Sequence, residues 1–438
     1  MKNINSWKDN HWSIIEKNVF RLQLRIYKAA TNQEFKKMYK IQKLLITSQS
    51  AKYLSLKLVK QRSTDRTILK TSKLKSRGNQ HRTFLLTIEN RSKQMLVYLV
   101  LYPQWKAEFE AENSGFKPDK SELETIKSIF LGISRSPKWV LNGKILNSSN
   151  KIDHKYLLNK CNTFPELYQQ IRLYLKAGIL DGKKNILSEL NTPLSCLLIN
   201  IALHGLKTYI DKYIKILTGN SDSSTFVRYG TNFVVLHPNQ KVLKNIKSVI
   251  IKFLKPIEFK LNLKKTQITH TLLPGFTFLD FDIFQRIKCV RVQKRLKKSE
   301  SNLQFITLII PSKNSLKKHK LEIRQLIRRY RGASQERLLQ KLNPVIRNWA
   351  LSRSTQMSIK TFQVLDQFVI LHLWKWMKRR HPLMLNYKLK KKYWHQVGTK
   401  KWVFGIKTND KITLQLQLHS KIPIKHFLKV KELINETN

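Results

Sequence analysis

The sequence has 438 residues, room for two or three domains of ordinary size, and its 41% hydrophobic content is sufficient for buried cores. Lys and Arg number 84 against 27 Asp and Glu, so the formal net charge is +57 and a polyanion is needed to relieve the self-repulsion. The longest apolar stretch, residues 95–105, is about half of what a membrane-spanning helix needs. We therefore expect no integral membrane protein and no membrane partner, and nucleic acid is the predicted partner.

The cysteines and the N-terminus narrow the class further. Cys161, Cys196 and Cys289 lie far apart, and the sequence contains no CxxC or HExxH motif. A disulfide framework and a structural zinc site are not expected, and no metal or cofactor is predicted. The N-terminus has neither an apolar run nor an Arg-rich pattern, so we expect the protein to work where it is made.

Residues 7–60 are predicted to be helical. Apolar side chains recur there at three- and four-residue steps, namely at Trp12, Ile15, Val19, Leu22 and Ile26. Residues 61–82 are polar, basic and weakly periodic, and this pattern predicts a loop.

From residue 83 to about 290, apolar runs alternate with amphipathic stretches. The candidate strands are Phe84–Ile88, Trp139–Ile145, Phe233–His237 and Phe276–Phe281. The candidate helices are 92–111, 121–133, 154–176, 194–217 and 240–255. This mixture predicts an α+β or α/β body.

Residues 312–382 are predicted to form three helices. The first begins at Ser312 or Ser315 and ends at Gly332, and the second begins at Ser334 and stops at Pro344. The third begins at Ser358 and ends at His381-Pro382. Their solvent faces are basic almost throughout, and the one-signed excess favours a nucleic-acid interface over faces that are merely solvated.

Nine sequence blocks occur in a fixed order along residues 10–430. They are RLQLRIYKA at 21–29, QKLL at 42–45, EFEAENSGFKPDKS at 108–121, LLINIALHG at 197–205, LNLKKTQI at 261–268, GFTFLDF at 275–281, RGASQ at 331–335, LNPVIRNW at 342–349 and LWKWMKRRHP at 373–382. Together these blocks resemble proteins encoded within group II introns, which join a reverse transcriptase to a maturase domain.

The resemblance implies an α+β fold: a reverse-transcriptase-like right hand of fingers and palm, followed by an all-α thumb and a maturase X domain. The implied division is an N-terminal RNA-binding extension at 1–82, a degenerate fingers and palm at 83–295, the thumb and X domain at 312–390, and a basic C-terminal tail at 391–438. The endonuclease domain of many relatives is expected to be absent, because the chain ends at Asn438.

The catalytic positions of the family are replaced in this sequence. Residues 140–154 match the first palm strand, with Lys144 at the metal-binding aspartate and Ser149 at the sugar-discriminating aromatic position. Thr231 and Asn232 stand where the family has paired aspartates, and 188–193 replaces its template-contacting loop. At an effective dielectric constant near 20, a Lys ammonium about 4 Å from a unit positive charge is repelled by roughly 4 kcal/mol, and a divalent ion doubles this repulsion.

These replacements predict a protein without polymerase catalysis, and no catalytic residue is assigned. The remaining acids, Asp153, Asp280 and Asp282, lie on other parts of the framework and are expected to be surface or capping carboxylates. The implied function is that of a maturase, which binds its group II intron RNA and promotes folding and splicing while the RNA itself does the chemistry. The alternatives left open are an active reverse transcriptase with a mobility function, a general basic RNA-binding protein, and an inert translation product.

The predicted RNA-binding residues lie at both ends of the chain. They are Arg21, Arg25, Lys28, Lys317, Lys318, Arg324, Arg328, Arg329, Arg331, Lys375, Lys378, Arg379, Arg380, Trp394 and Trp402. Trp349 and Trp376 fall on apolar helix faces and are expected to pack in the core instead. An AT-rich composition and the type of relative predict synthesis in a plastid, with the mitochondrion as the alternative, and dimerisation is left open.

Overall fold

The computed structural model describes residues 9–66, 77–109, 121–146, 153–177, 192–219, 224–287, 305–355, 358–397, 401–408 and 411–423. Internal contacts group the chain into two compact units. The first comprises Met1–Ser121 and Leu141–Ile268, and the second comprises Glu122–Val140 and Thr269–Asn438. The four domains implied by the resemblance stay a prediction.

The structure combines helices and strands, as the sequence predicted. The helices are α1 (Asp9–Thr31), α2 (Phe35–Thr47), α3 (Gln49–Arg66), α4 (Arg77–Glu108), α5 (Glu122–Ile133), α6 (His154–Cys161), α7 (Pro165–Lys176), α8 (Pro193–Ala202), α9 (Leu206–Thr218), α10 (Gln240–Leu254), α11 (Lys313–Arg329), α12 (Gln335–Ser352), α13 (Ile359–Arg380) and α14 (Asn386–Tyr393). The strands are β1 (Trp139–Leu146), β2 (Thr225–Tyr229), β3 (Asn232–His237), β4 (Lys260–Leu261), β5 (Gln267–His270), β6 (Phe276–Phe278), β7 (Phe281–Ile287), β8 (Phe305–Pro311), β9 (Trp394–Val397), β10 (Lys401–Thr408) and β11 (Lys411–Gln415). Among the described residues, no helix combines the length and the apolar character that crossing a bilayer requires.

The N-terminal helices of the first unit pack through the apolar face that the sequence predicted. Ile15, Val19 and Ile26 of α1 are buried, and α1 packs against α4. Between α2 and α4, the buried Gln42 amide donates to Gln104 Oε1 at 2.9 Å. This bond satisfies polar groups that would otherwise lose their hydration at a cost.

A five-stranded sheet follows, with the order β2-β3-β1-β4 and β5 paired with β1. Strands β2 and β3 form an antiparallel hairpin in which Tyr229 pairs with Asn232. Gly230 has φ +61° in the connecting turn, a backbone conformation that glycine adopts without strain. On β1, Gly143 lies so close to Phe233 that a Cβ there would be 2.3 Å from the Phe233 ring. Glycine is therefore required for β1 to pair this closely with β3.

In the second unit, β6, β7 and β8 form an antiparallel sheet, and α11, α12 and α13 build a helical core. The Ser312 and Ser334 hydroxyls cap α11 and α12 by accepting from the backbone amides of Ser315 and Arg337. The core they share contains Ile323, Ile327, Leu338, Leu339, Leu342, Ile346, Val369, Leu373, Trp376 and Met377. This arrangement fixes the direction in which the basic faces of α11 and α13 point.

The predicted basic tail contributes to that core. Strands β9, β10 and β11 form an antiparallel sheet, and Trp394, Phe404 and Leu416 join the helical core cluster. The Gln335 amide of α12 donates to the carbonyls of Tyr393 and Gly405 at 3.1 and 2.9 Å. The sequence analysis predicted no sheet here.

Two predictions near the N-terminus are wrong. The strand predicted at Phe84–Ile88 lies within α4, because a short apolar run fits a buried helix as well as a strand. The loop predicted at 61–82 is helical at both ends, since α3 runs to Arg66 and α4 begins at Arg77. Residues 67–76 lie outside the described residues.

Other helix boundaries differ from the prediction for local reasons. Pro344 does not stop the second helix, and α12 continues to Ser352 because Ile346 and Ala350 beyond the proline are buried. The predicted helix at 154–176 is divided by Asn162, whose φ is +45°. The predicted helix at 194–217 is divided at Gly205, whose φ is +84°. Strands β1 and β3 and helices α5 and α10 confirm the predictions made for their segments.

Candidate nucleic-acid interface

The first unit brings together the positions that correspond to the catalytic aspartates of the resembled family. Lys144 lies on β1, and Thr231 and Asn232 lie at the β2–β3 turn. The amide of Ile145 donates to the carbonyl of Thr231 at 2.8 Å, so the neighbours of Lys144 contact this turn directly. The sequence comparison assigned Lys144, Thr231 and Asn232 to one site of the resembled family, and the structure places their segments next to each other.

This donor set does not fit a Mg²⁺ ion, which prefers carboxylate and other oxygen ligands. Lys144 carries a positive charge, and Thr231 and Asn232 are neutral. Within the described ranges, no group of three or more His, Cys, Asp or Glu side chains is arranged to hold a metal. Ser149 and residues 188–191 of the altered loop lie outside the described residues.

Asp153, Asp280 and Asp282, the three acids considered in the sequence analysis, each have contacts within the protein. Asp153 caps α6 by accepting from the amides of Lys155 and Tyr156 at 2.9 and 3.1 Å. Asp282 accepts from the Thr277 hydroxyl at 2.6 Å, and Asp280 lies 3.5 Å from the guanidinium of Arg353. These contacts account for each carboxylate without a metal-binding role.

A buried arginine supports the β2–β3 hairpin. Arg228 is 1% exposed, and its guanidinium donates to Asn200 Oδ1 at 2.6 Å and to the Gly230 carbonyl at 3.1 Å. Asn200 belongs to the buried helix α8, so the guanidinium ties that helix to the turn preceding Thr231. Arg228 therefore supports this turn from its buried side, and its guanidinium is shielded from solvent.

The second unit carries a one-signed basic surface on α11 and α13. All ten predicted basic residues of this region are exposed: Lys317, Lys318, Arg324, Arg328, Arg329, Arg331, Lys375, Lys378, Arg379 and Arg380. The structure separates them into two groups, because half of them line one groove and half lie outside it.

We call this depression the α11/α13 groove. It has a volume of about 560 Å³ and is lined by Arg324, Ile327, Arg328, Arg331, His372, Lys375, Trp376 and Arg379. Five of the eight lining side chains are cationic, and none is a carboxylate. Arg and Lys side chains are hydrogen-bond donors without acceptors, so the groove matches a phosphate backbone.

His372 was not among the predicted site residues. Its Nδ1 lies 2.9 Å from the carbonyl oxygen of Phe368, one turn earlier on α13. A carbonyl can only accept, so Nδ1 carries the proton, and in the neutral ring Nε2 is then an acceptor. The recurrence of His372, Lys375 and Arg379 at helical spacing was the signal that would have placed it on the basic face.

One of the predicted RNA-binding residues, Arg380, has contacts within the protein. Arg380 donates to the carbonyl of Ala333, and its guanidinium lies 5.4 Å from the centre of the Trp376 ring. The indole of Trp376, which is buried as predicted, donates to the carbonyl of Tyr330 at 3.0 Å. Arg380 therefore connects the turn after α11 to Trp376 of α13, whereas its neighbour Arg379 lines the α11/α13 groove.

The aromatic candidates also divide. Trp394 is 8% exposed and packs in the core against Phe404, with ring centres 5.5 Å apart. This burial leaves no free ring face and argues against the expected stacking of Trp394 on RNA bases. Trp402 is 45% exposed, and Lys390 Nζ lies 4.2 Å from the centre of its ring. A cation beside an exposed indole is compatible with stacking on a base next to a phosphate.

The N-terminal candidates lie on α1. Arg21, Arg25 and Lys28 are all exposed, at positions separated by one helical turn or less. Arg21 and Arg25 line a shallow depression of about 510 Å³ together with Asn18, Leu22 and Leu24. The structure thus places these two arginines on one surface.

A buried polar cluster anchors the end of the described chain to the helical core. Nδ1 of His419 donates to Asp366 Oδ1 at 2.8 Å, and the amides of His419 and Ser420 donate to the same carboxylate at 2.7 and 3.1 Å. Burial acts to raise the pKa of Asp366, but the bonds from His419 and Ser420 outweigh it and hold that pKa below its usual value.

The second histidine of this cluster is neutral. His319 Nε2 lies within hydrogen-bond distance of His419 Nε2, at 2.9 Å. Burial and the neighbouring His419 lower the pKa of His319 to about 3. Its ring stacks on Trp349, with centres 4.3 Å apart. Trp349 is thus half-buried within the core, as expected.

Comparison with known families gives two matches at opposite ends of the chain. Residues 7–85 match the N-terminal domain of reverse transcriptase, and residues 316–394 match the group II intron maturase-specific domain. The second match includes every residue that lines the α11/α13 groove. The chain therefore contains a segment similar to the N-terminal domain of reverse transcriptase and a segment similar to the group II intron maturase-specific domain.

Comparison with whole proteins adds little. No curated protein matches the chain. Among solved structures, the chain is similar to telomerase from Candida albicans in complex with the TWJ fragment of telomeric RNA, at 12% identity and a TM-score of 0.30. The alignment covers 69% of this chain and 58% of the telomerase chain. A structural similarity this low supports no conclusion about the present chain.

Proposed function

We propose that this protein is a maturase that binds a group II intron RNA and stabilises its folded form, while the RNA carries out splicing. The observation that carries the proposal is the coincidence of the maturase-specific match at 316–394 with the α11/α13 groove. The groove offers five cations and no carboxylate, and the chain as a whole has a net charge of +57. Folding an RNA brings phosphates together, and bound cationic side chains lower that repulsion.

We further propose that reverse-transcriptase activity has been lost. The support is the residue set at the β1/β3 position, where Lys144 replaces an expected Mg²⁺ ligand and Thr231 and Asn232 provide no carboxylate. The corresponding test is primer extension by the purified protein with Mg²⁺ or Mn²⁺. Synthesis of cDNA by the unmodified protein would revive the alternative of an active polymerase.

The intron is identified first, by crosslinking in the native organism followed by sequencing of the bound RNA. Splicing of that intron is then measured in vitro at low Mg²⁺, where the RNA depends most on protein. The variant R328Q/K375Q/R379Q removes three groove cations. We expect it to lose most of the stimulation of splicing that the unmodified protein gives. If each contacts a phosphate, the slope of log affinity against log salt should fall by roughly three.

A matched control comes from the basic residues outside the groove. K317Q/K318Q/K378Q removes the same charge from exposed positions on the same two helices. We expect it to splice nearly as well as the unmodified protein, because non-specific attraction alone is reduced. Equal loss in both triple variants would favour a general basic RNA-binding protein, and full splicing by the groove variant would overturn the proposal.

The cellular compartment belongs to the same proposal. An organelle-encoded maturase acts on introns of its own genome, and we propose synthesis in a plastid, with the mitochondrion as the alternative. Cell fractionation with detection of the protein, together with the genomic source of the crosslinked intron, distinguishes the two.

A further inference from the structure

We propose that His372 reads the ribose 2′-hydroxyl of an RNA strand bound in the α11/α13 groove, and so makes the groove selective for RNA over DNA. The inference rests on the proposed function, since it takes an RNA to be the groove's ligand. It adds a specificity-determining residue to a surface that charge alone would leave indifferent to the sugar.

The groove has a hydrogen-bonding composition that points to this role. The Arg and Lys side chains that line it can only donate, and the indole of Trp376 donates to the Tyr330 carbonyl. Among the described lining side chains, His372 is the one with a nitrogen able to accept. Its Nδ1 donates to the Phe368 carbonyl at 2.9 Å, so Nε2 is the nitrogen left to accept when the imidazole carries a single proton.

The surroundings hold that nitrogen in place. The His372 ring lies against the Phe368 ring, with centres 4.1 Å apart. Lys320 and Arg324 in turn place their cationic groups 5.4 and 5.8 Å from the centre of the Phe368 ring. The imidazole is thus fixed by a hydrogen bond on one edge and by aromatic packing on its face, so its free nitrogen has a defined direction.

A ribose-phosphate backbone is complementary to this arrangement. Phosphate oxygens only accept, and they match the five groove cations. The 2′-hydroxyl can donate, and it is the group by which a protein distinguishes RNA from DNA at a given site. Arg324 and Arg328 lie about 6 Å apart along α11 at 1.5 Å per residue, and Arg331 follows just beyond the end of that helix. The lining residues therefore extend over more than one backbone group of a bound RNA strand, and His372 lies among these lining residues.

The test compares two probes with the full-length protein: a fixed-sequence RNA hairpin and the same hairpin with 2′-fluoro substitution throughout. Fluorine removes the donor from each ribose. We expect the unmodified protein to bind the hydroxyl form about threefold to tenfold more tightly, the effect of one net hydrogen bond. His372→Phe keeps an aromatic ring and should remove most of this preference, whereas His372→Gln, which retains an acceptor, should keep part of it.

A groove cation provides the matched control. Lys375→Gln should weaken binding of both hairpins by a similar factor and leave their ratio unchanged. A ratio that is the same in His372→Phe as in the unmodified protein overturns the role of His372. If Lys375→Gln leaves the affinity for both hairpins unchanged, the groove is not the RNA site and the inference also fails. A failure of the proposed function is distinct, because the hydroxyl preference would persist while intron RNA bound no better than unrelated RNA.

Discussion

At the scale of single residues, the burial of His319 makes stability depend on pH. Its pKa is lowered to about 3 in the folded protein, well below its ordinary value of 6.5. Between these values the unfolded chain binds a proton that the folded chain does not, so stability is lost as pH falls below 6.5. Each pH unit in that window costs at most about 1.4 kcal/mol from this group.

We predict that His319→Phe reduces this pH dependence. The variant should be less stable at pH 7, because the buried hydrogen bond between His319 and His419 is lost. Its stability should nevertheless fall less steeply between pH 6.5 and 4, by about one proton. Urea unfolding measured across that range gives the slope directly, and an unchanged slope would mean that His319 does not titrate as described.

A second residue-scale prediction concerns the close approach of β1 and β3. In Gly143→Ala, the new methyl group would meet the buried Phe233 ring at 2.3 Å, so the ring or the strand must shift. Overpacking of this kind costs typically about 1–3 kcal/mol. Gly332→Ala is the control, because a Cβ there meets nothing within 4 Å. Thermal unfolding of both variants should show a clear loss for the first and little change for the second.

At the scale of elements, strand β10 presents a buried and an exposed aromatic side chain two residues apart. Phe404 is fully buried in the helical core cluster, whereas Trp402 is 45% exposed beside Lys390. Phe404→Ala should cost about 3–5 kcal/mol in unfolding free energy. Trp402→Ala should leave stability nearly unchanged while weakening RNA binding by about 1–3 kcal/mol if the indole stacks on a base.

Unfolding curves and RNA titrations on these two variants separate structure from binding. Equal stability of the Phe404→Ala variant and the unmodified protein would mean that β9, β10 and β11 are dispensable to the core. Unchanged RNA affinity in Trp402→Ala would remove Trp402 from the interface.

The elements that the sequence predicted are those specified by local pattern. The predicted bounds of α5, α10 and α13 lie within a few residues of the observed ones, and the structure has serine caps at Ser334 and at Ser312, one of the two predicted candidates. The sheet β9–β11 depends on distant partners, such as the bond from Asn343 to the Gln415 carbonyl across 72 positions. A pattern read along the chain cannot reveal such contacts, and the predicted tail therefore concealed a sheet.

In the candidate site, too, some features follow from local sequence pattern and others depend on tertiary packing. The excess of positive charge on α11 and α13 was visible in composition and spacing. Which five cations share a groove depends on how the two helices pack around Ile327 and Trp376, and that is a tertiary property. The helical spacing that His372 shares with Lys375 and Arg379 indicates a place on the basic face, but its hydrogen bond to the Phe368 carbonyl is visible only in the structure.

At the scale of the whole molecule, the dominant property is a net charge of +57. Binding to RNA should release many counterions, since phosphates at the groove, at Arg21 and Arg25, and near Trp402 would each be neutralised by nearby Lys or Arg side chains. For six or more such contacts, affinity falls by about 10³ or more between 50 and 200 mM salt. This attraction by itself does not distinguish one structured RNA from another.

We therefore predict two separate results from one salt titration. The affinity for any structured RNA should fall steeply and linearly on logarithmic axes, because phosphate contacts supply most of the binding. The ratio of affinities for the target intron and for an unrelated structured RNA should instead rise or stay constant with salt, because shape and hydroxyl contacts are screened less. Filter binding or fluorescence anisotropy measures both. A ratio that falls to one at physiological salt would show that charge alone drives binding, and the maturase proposal would give way to general RNA binding.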